Sequence, residues 1–334
     1  MCYIRVLAAP VSQTVSRGGL AWIEHPLIGR YSWLVHAFST RRGGLSRGPS
    51  AGLNLGFTPG EPRTRVRKNR ELFFRQFGVE HFALASLRQV HSANVYQVVR
   101  ATSGEAEYRL GGNRPSGVAQ PAGDALLTEE AGILLSMRTA DCLPVLLVDP
   151  KHRAVAAVHA GWRGALAHLM GKAVGEMRRM YGSEPQSLFA VLGPSIRACC
   201  YEVGEEVLEA FQGRFPHANK FFRRVSEPRA SRPKRRPFSS SSVQSPGHGS
   251  SGAPPIHLDL VAVAQDQLLA AGLAPRHVAA VDFCTACRTD LFYSYRQEGR
   301  RTGRMLAVIG ICPAPSRRSW PQAAPISCPR EMRM

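Results

Sequence analysis

Long apolar runs are missing from this chain, and none approaches the roughly 18 residues that a membrane span requires. The opening stretch, MCYIRVLAAPVSQTVSRGG, holds only a short, interrupted apolar patch, and Cys2 comes too early to follow a lipoprotein signal; a cytoplasmic protein without a membrane partner is expected. Cysteine is also scarce, 8 in 334 residues with two adjacent at Cys199 and Cys200, which excludes a secreted disulfide framework and points to a reducing compartment. Buried thiols are common small hydrophobes, so Cys199 and Cys200 are expected to be packing residues. Cys284 and Cys287 form a CxxC, but no second CxxC or His pair stands at zinc-finger spacing, and a redox or zinc role is not expected for it. Carboxylates are outnumbered, 24 against 43 Lys and Arg, leaving a formal charge of +19. Seven of those cations lie in Arg223–Arg236 and much of the rest is scattered arginine, with no nucleic-acid-binding motif beside them, so a nucleic-acid partner is not expected.

What is present is a chain that is 44% apolar, enough for a sizeable core. Residues 1–25 read as a loose lead-in, 26–312 as one domain, and 313–334 as a disordered Pro- and Arg-rich tail. The domain is interrupted at 223–255 by a basic Ser/Pro loop that cannot bury enough apolar surface to order itself. WLVHAFST, FALAS, the run beginning at Val95, Ile133 to Met137, SLFAVLGP, HVAAVDF, LFYSYR and RMLAVIGI read as strands. The stretch 100–122 reads as a loop. Helices are expected over Thr64 to Gly78, from Ala165 onward, around Val207 to Phe211, and from near Leu258 to Gly272.

The centre of interest is RTADCLPVLLVDPKHRAVAAVHAGWRG. Leu143 to Asp149 and Ala154 to Ala160 are Val- and Leu-rich runs flanking a Pro-Lys-His-Arg turn, the signature of a buried antiparallel hairpin. Cys142 precedes the first run and His159 nearly closes the second, so both fall at the hairpin's open end. That pair alone fits a thiol–imidazole nucleophile as well as it fits two metal ligands. A third strand-end residue, His91, completes a His2Cys set, which as a catalytic zinc site leaves a fourth position open. Asp141, immediately before the Cys, reads as an N-cap or turn residue. The Gly-rich loop after Thr40 carries Arg41, Gly43, Gly44 and Asn54, and with Arg163 it is a candidate anion site or a simple flexible loop.

The segments STRRGGLS with LNLG, RQVHSANV, GDALLT, TADCLPVL, VHAGWRG, GPSIRACCYEVG, LDL, and CTACRTDLFYSYR with TGRMLAVIGI occur in order over roughly residues 31–311. Together they resemble the laccase-domain family, also called the YfiH or polyphenol-oxidase-like family, regarded as purine nucleoside phosphorylases. The resemblance implies an α/β (α+β) fold, a four-layer α-β-β-α sandwich of mixed sheets shared with a group of cysteine hydrolases. It also implies zinc on His91, Cys142 and His159, with copper as the alternative metal. The implied reaction is phosphorolysis of adenosine, inosine, guanosine or methylthioadenosine to base and a ribose 1-phosphate, with adenosine deamination alongside. On this reading purine nucleosides and phosphate are the partners of a monomer or homodimer. Cys142, Asp141 and Arg163 would be catalytic, and Arg41, Gly43, Gly44 and Asn54 would bind substrate or phosphate. A copper polyphenol oxidase is the first rival, although a multicopper oxidase is expected to carry several His-x-His pairs and none occurs among the eleven histidines. A cysteine hydrolase with Cys142 as nucleophile and His159 as base is the second.

Overall fold

The computed structural model describes residues 12–111, 114–225 and 254–313. Most of the expected 223–255 loop and of the tail lies outside them. Two large mixed sheets form the frame. The six-stranded one runs in the order Gln13–Arg17, Leu20–Glu24, Leu34–Ser39, Met305–Ile311, Ile133–Thr139, Ala83–Ser86, with only the last pair parallel. The eight-stranded one runs Val278–Ala280, Phe189–Leu192, Leu143–Asp149, Ala154–Ala160, Ala125–Thr128, Val95–Arg100, Ala106–Leu110, Arg114–Pro115. A small third sheet joins Glu202–Val203, Ile256–Leu258 and Phe222–Arg224.

The alternation of side chains across a strand explains how these sheets stack. Leu146, Val148, Val155 and Ala157 meet Phe38, Leu135 and Ile309 of the other sheet in one shared apolar layer. Val145, Leu147, Ala156 and Val158 face outward, against helices Leu169–Tyr181 and Leu260–Ala270. On the far side, Trp22, Ala37, Leu134 and Val308 pack with Phe73 and Phe74 of helix Arg63–Arg75. The layering is therefore helix, sheet, sheet, helix. Central strands buried on both faces must be apolar at every position, which is why LPVLLVD and AVAAVHA are continuous hydrophobic runs.

The expected hairpin is present with Leu143 opposite Ala160 and Asp149 opposite Ala154. Several expectations need correction. The supposed lead-in contributes two strands, and Leu20, Trp22 and Ile23 within it are buried. Part of the supposed 100–122 loop is a strand, Ala106–Leu110, paired with Val95–Arg100 through exposed polar positions that mask its period. LFYSYR is not a strand: Leu291 to Ser294 form turns, and Ser294 caps the short helix Tyr295–Glu298 by accepting from the Gln297 amide. The helix expected from Ala165 is broken, because His168 takes a left-handed φ of 57° between Trp162–Leu166 and Leu169–Tyr181. No helix among the described residues is long and apolar enough to cross a membrane.

One buried imidazole ties the fold to pH. His36 Nε2 accepts the His25 amide at 3.0 Å, and His25 Nδ1 accepts the Leu27 amide as an N-cap. Burial first, and the neighbouring His25 second, bring the His36 pKa from 6.5 down to about 4. A folded-state value below the unfolded one means that His36 adds stability above pH 6.5 that is lost as pH falls toward 4. The loss is on the order of 3 kcal/mol at 1.36 kcal/mol per pH unit. In denaturant titrations across this window, His36→Gln, which retains an acceptor but cannot be protonated, should flatten the fall. An unchanged slope would remove His36 as its source.

Candidate metal centre

The site forms where the two sheets exchange chain. Strand Ile133–Thr139 of one sheet is linked to strand Leu143–Asp149 of the other by three residues, Ala140, Asp141 and Cys142. So tight a crossover forces Asp141 to a φ of 90°, unusual for a residue with a side chain. Its carboxylate accepts from Thr285 Oγ1 at 2.6 Å, Ser294 Oγ at 3.0 Å and the Arg296 amide at 2.7 Å, which offset the strain. Burial nonetheless pushes the Asp141 pKa upward, against those bonds.

Cys142 then starts the hairpin beside His159, whose register partner is Pro144. His91, on the loop between Ser86 and Val95, swings in from the other side with a left-handed φ of 59°. Its Nε2 lies 3.5 Å from Cys142 Sγ, and the His91 and His159 rings meet edge-on with centroids 5.1 Å apart. One ligand atom from each of the three residues falls within 4.8 Å of the others. Gly161 supplies the space: a Cβ there would collide with the His91 ring and lie 3.4 Å from Cys142 Sγ.

Asp124, from the GDALLT segment, was not among the residues expected to act, yet it organises the triad. Its Oδ1 meets His159 Nδ1 at 2.9 Å, while its backbone carbonyl accepts the His159 amide at 2.7 Å. Oδ2 accepts from the Ser92 amide and hydroxyl at 2.6 and 2.9 Å and from the Val90 amide at 3.3 Å, the two residues flanking His91. One buried carboxylate thus fixes the His159 tautomer, turns Nε2 toward Cys142, and clamps the loop that carries His91.

The donors fit a zinc-sized ion. At Zn–S and Zn–N lengths of about 2.3 and 2.0–2.1 Å, a tetrahedral site separates S from N by about 3.5 Å, and the Cys142–His91 distance is 3.5 Å. Without an ion the triad is a thiolate–imidazolium cluster. Burial opposes ionisation of Cys142, but His159 and then His91 outweigh it and bring the thiol down to about 6. Burial likewise disfavours a charged His159, and the Cys142 thiolate with the Asp124 carboxylate hold it up at about 9.

The triad opens into a cavity of about 640 Å³, within the range of small-ligand sites. Three guanidinium groups, those of Arg138, Arg296 and Arg304, line it, and Phe57, Tyr201 and Tyr295 give it aromatic walls. Arg304 is anchored by the Thr302 and Gly303 carbonyls, and Arg138 by Gln89 and the Leu87 carbonyl. Burial first and the charge of Arg138 second depress the Arg304 pKa.

The expected anion-binding residues lie elsewhere. Arg41 is paired with Glu298 at 2.7 Å and stacked over Tyr293. Arg163 lies over Trp162. Gly43 and Gly44 take left-handed φ values of 78° in a loop packed on Gly19, Gly52 and Leu53. Asn54 is buried and structural, accepting from the Gly56 and Arg304 amides. None of these lines the cavity, and Asp141 does so with its oxygens already engaged. The sequence carried no signal for the three arginines, because Arg138 ends a strand more than 150 residues before Arg296 and Arg304, and only the fold brings them to one cavity.

The sequence profile of the family described as "Multi-copper polyphenol oxidoreductase laccase" matches residues 35–312. The chain belongs to this family. It is 32% identical over 300 residues to "Purine nucleoside phosphorylase YlmD" of Geobacillus stearothermophilus, covering 90% of this chain and 97% of that one. It is 32% identical over 275 residues to "Adenosine deaminase RL5" of an unidentified prokaryote, covering 82% and 93%. Among solved structures, the Bacillus licheniformis hypothetical protein YfiH superposes with a TM-score of 0.71 at 25% identity, covering 89% of this chain and 98% of that one.

In chelator-treated protein, alkylation of Cys142 should accelerate as pH rises through about 6, and His159→Gln should move that midpoint upward toward the ordinary thiol value of 9. A midpoint untouched by the substitution would show that the imidazole does not hold the thiolate.

Proposed function

We propose that this enzyme is a purine nucleoside phosphorylase acting on adenosine, inosine, guanosine or methylthioadenosine. The observation that carries the reading is the convergence of three guanidiniums on one cavity beside a metal-capable triad. Burial holds the Arg138 and Arg304 guanidiniums below their ordinary pKa, Arg304 further through the charge of Arg138, and the lining carboxylate, Asp141, is already hydrogen-bonded. Such a cavity is incomplete without an anion, and inorganic phosphate is the anion that phosphorolysis consumes. Arg138, Arg296 and Arg304 would bind it, replacing the Arg41, Arg163 and Gly43–Gly44 set expected from sequence. Phe57, Tyr201 and Tyr295 offer flat apolar walls for a purine base.

His91, Cys142 and His159 would hold zinc, or copper as the alternative. When bound, the ion offers an open coordination position and Lewis acidity toward a water or substrate oxygen. Asp124 orients His159 and the His91 loop. Asp141 is assigned to positioning rather than to a proton shuttle, since both its oxygens are taken. Deamination would need a carboxylate within reach of purine C6, and this occupancy weighs against Asp141 in that part, leaving adenosine deamination a secondary activity.

Among the described residues the triad is the sole metal-capable group that contains histidine, which speaks against a multicopper oxidase. A cysteine hydrolase has one observation in its favour: Cys142, His159 and Asp124 stand in the order of nucleophile, base and orienting acid. His91, 3.5 Å from the same sulfur, is what that reading leaves without a part.

Purified protein given adenosine and phosphate should yield adenine and ribose 1-phosphate. Cys142→Ala should abolish turnover, and Arg304→Met should raise the phosphate KM at least about tenfold, the loss of roughly one charge-assisted hydrogen bond. No product from any purine nucleoside would refute the assignment, and full activity after metal removal would favour the hydrolase. Asp124→Asn should weaken metal retention by about 10–100-fold, read by competition with a chromophoric chelator. Retention equal to wild type would deny Asp124 its orienting part.

A further inference from the structure

We infer that Cys199, Cys200, Cys284 and Cys287 form a second metal site, a structural zinc tetrathiolate separate from the triad. One Sγ from each of the four falls within 4.8 Å of the others. Cys199 and Cys200 are 3.5 Å apart, Cys199 and Cys287 3.5 Å, and Cys200 and Cys287 3.4 Å. The S–S edge of a zinc tetrathiolate is about 3.8 Å at Zn–S of 2.3 Å, so the cluster needs to expand by only a few tenths of an ångström to take the ion. Cys199 is exposed and Cys200 only half-buried, so the adjacent pair is not the buried core packing expected of it; Cys287 is exposed as well.

The local backbone is built for thiolates. Two loops carry them, 195–201 after strand Phe189–Leu192 and 282–288 after strand Val278–Ala280, which are parallel neighbours. Their loops leave the sheet side by side, bridged by Ser195 and Cys284. The CxxC closes as a turn, with the Cys287 and Arg288 amides donating to the Cys284 carbonyl at 3.2 and 3.0 Å, and the Cys200 amide donates to Arg197 at 2.8 Å. Arg197 reaches back to the Val281 and Phe283 carbonyls, leaving its guanidinium beside the cluster. Loading would release the thiol protons to solvent, and Arg197 would offset part of the −2 charge of the zinc tetrathiolate.

Four protein ligands close the coordination sphere, so this ion would have no open position and no catalytic part. Its place in the fold indicates what it would do. Ile196 and Tyr201, on the first loop, line the nucleoside cavity, while Thr285, between the two CxxC thiols, donates to Asp141 at 2.6 Å. The ion would staple together the two loops that wall the cavity and brace the crossover leading to Cys142.

Metal analysis of the zinc-saturated, dialysed full chain should find two equivalents of zinc. Cys287→Ser should lower this to one, Cys142→Ala should also lower it to one, and the double variant should bind none. Cobalt loading separates the two: a strong thiolate-to-cobalt charge-transfer band should survive nearly whole in Cys142→Ala and fall to the weak band of a single thiolate in Cys287→Ser. Should Cys287→Ser fail to fold, the wild-type protein provides a second readout. Iodoacetamide should modify Cys199 and Cys287 after chelation and spare them in the zinc-loaded protein, as mapped by mass spectrometry. One equivalent in wild type, two in Cys287→Ser, equal alkylation with and without zinc, or a disulfide within the cluster in protein isolated without reductant would each overturn the proposal.

Discussion

The Asp124 carboxylate is the interaction on which the site depends. It is fully buried, and desolvation alone would raise its pKa, yet the net direction is downward because His159 and Ser92 hydrogen-bond to its charged form. A buried charge persists only when it is paired and its lone pairs are filled, and here each partner is also a functional support. One oxygen holds His159 and the other holds both neighbours of His91. Remove the carboxylate and three elements lose their common reference: strand Ala154–Ala160, strand Ala125–Thr128, and the loop before Val95. The left-handed φ of His91 would also lose the hydrogen bonds that sustain it.

The dependence runs outward from there. His159 cannot be both an oriented ligand and a member of a packed strand unless its Nδ1 is satisfied inside the core, and Asp124 lies on the adjacent strand's start to satisfy it. Cys142 in turn needs a crossover of three residues, and that crossover needs Asp141 bonded by Thr285, Ser294 and Arg296. The two aspartates therefore divide the labour: Asp124 sets the imidazoles and Asp141 sets the thiol. Gly161 completes the arrangement by its missing side chain, since any Cβ would occupy the space of the His91 ring.

Much of this was legible in sequence where a local period carried it. The hairpin bearing Cys142 and His159 could be read to the residue, since doubly buried strands must be continuously apolar and the PKHR turn marks their joint. His91 could be placed at a strand end, though not beside the pair, because bringing it 51 positions back depends on the sheet order. The residues expected to bind an anion fall outside the cavity lining for a related reason. RRGGLS has the composition of a phosphate loop, but Arg41 turns onto Tyr293 and Glu298, and its glycines serve close packing with Gly19 and Leu53. Composition states what a loop can do when nothing packs on it, and here the 41–54 loop is packed. The strands at Gln13–Arg17, on a sheet edge, and Ala106–Leu110, one place in from an edge, escaped notice because strands with so few buried residues impress no period on the sequence.

The strain and charge in the cavity follow one rule. Residues 91 and 141 both take positive φ without being glycine, and Arg138 and Arg304, both half-buried, line the same cavity. Each feature costs folding free energy: on the order of 1–3 kcal/mol for a strained residue, and a desolvation cost for each guanidinium. Positive φ also occurs at Arg153 and His168, away from the cavity, but at 91 and 141 it falls on two residues that line the cleft. An anion between the arginines would convert their repulsion into attraction, while the strained turns at 91 and 141 hold the thiol and imidazoles at the separation an ion requires before any ion arrives.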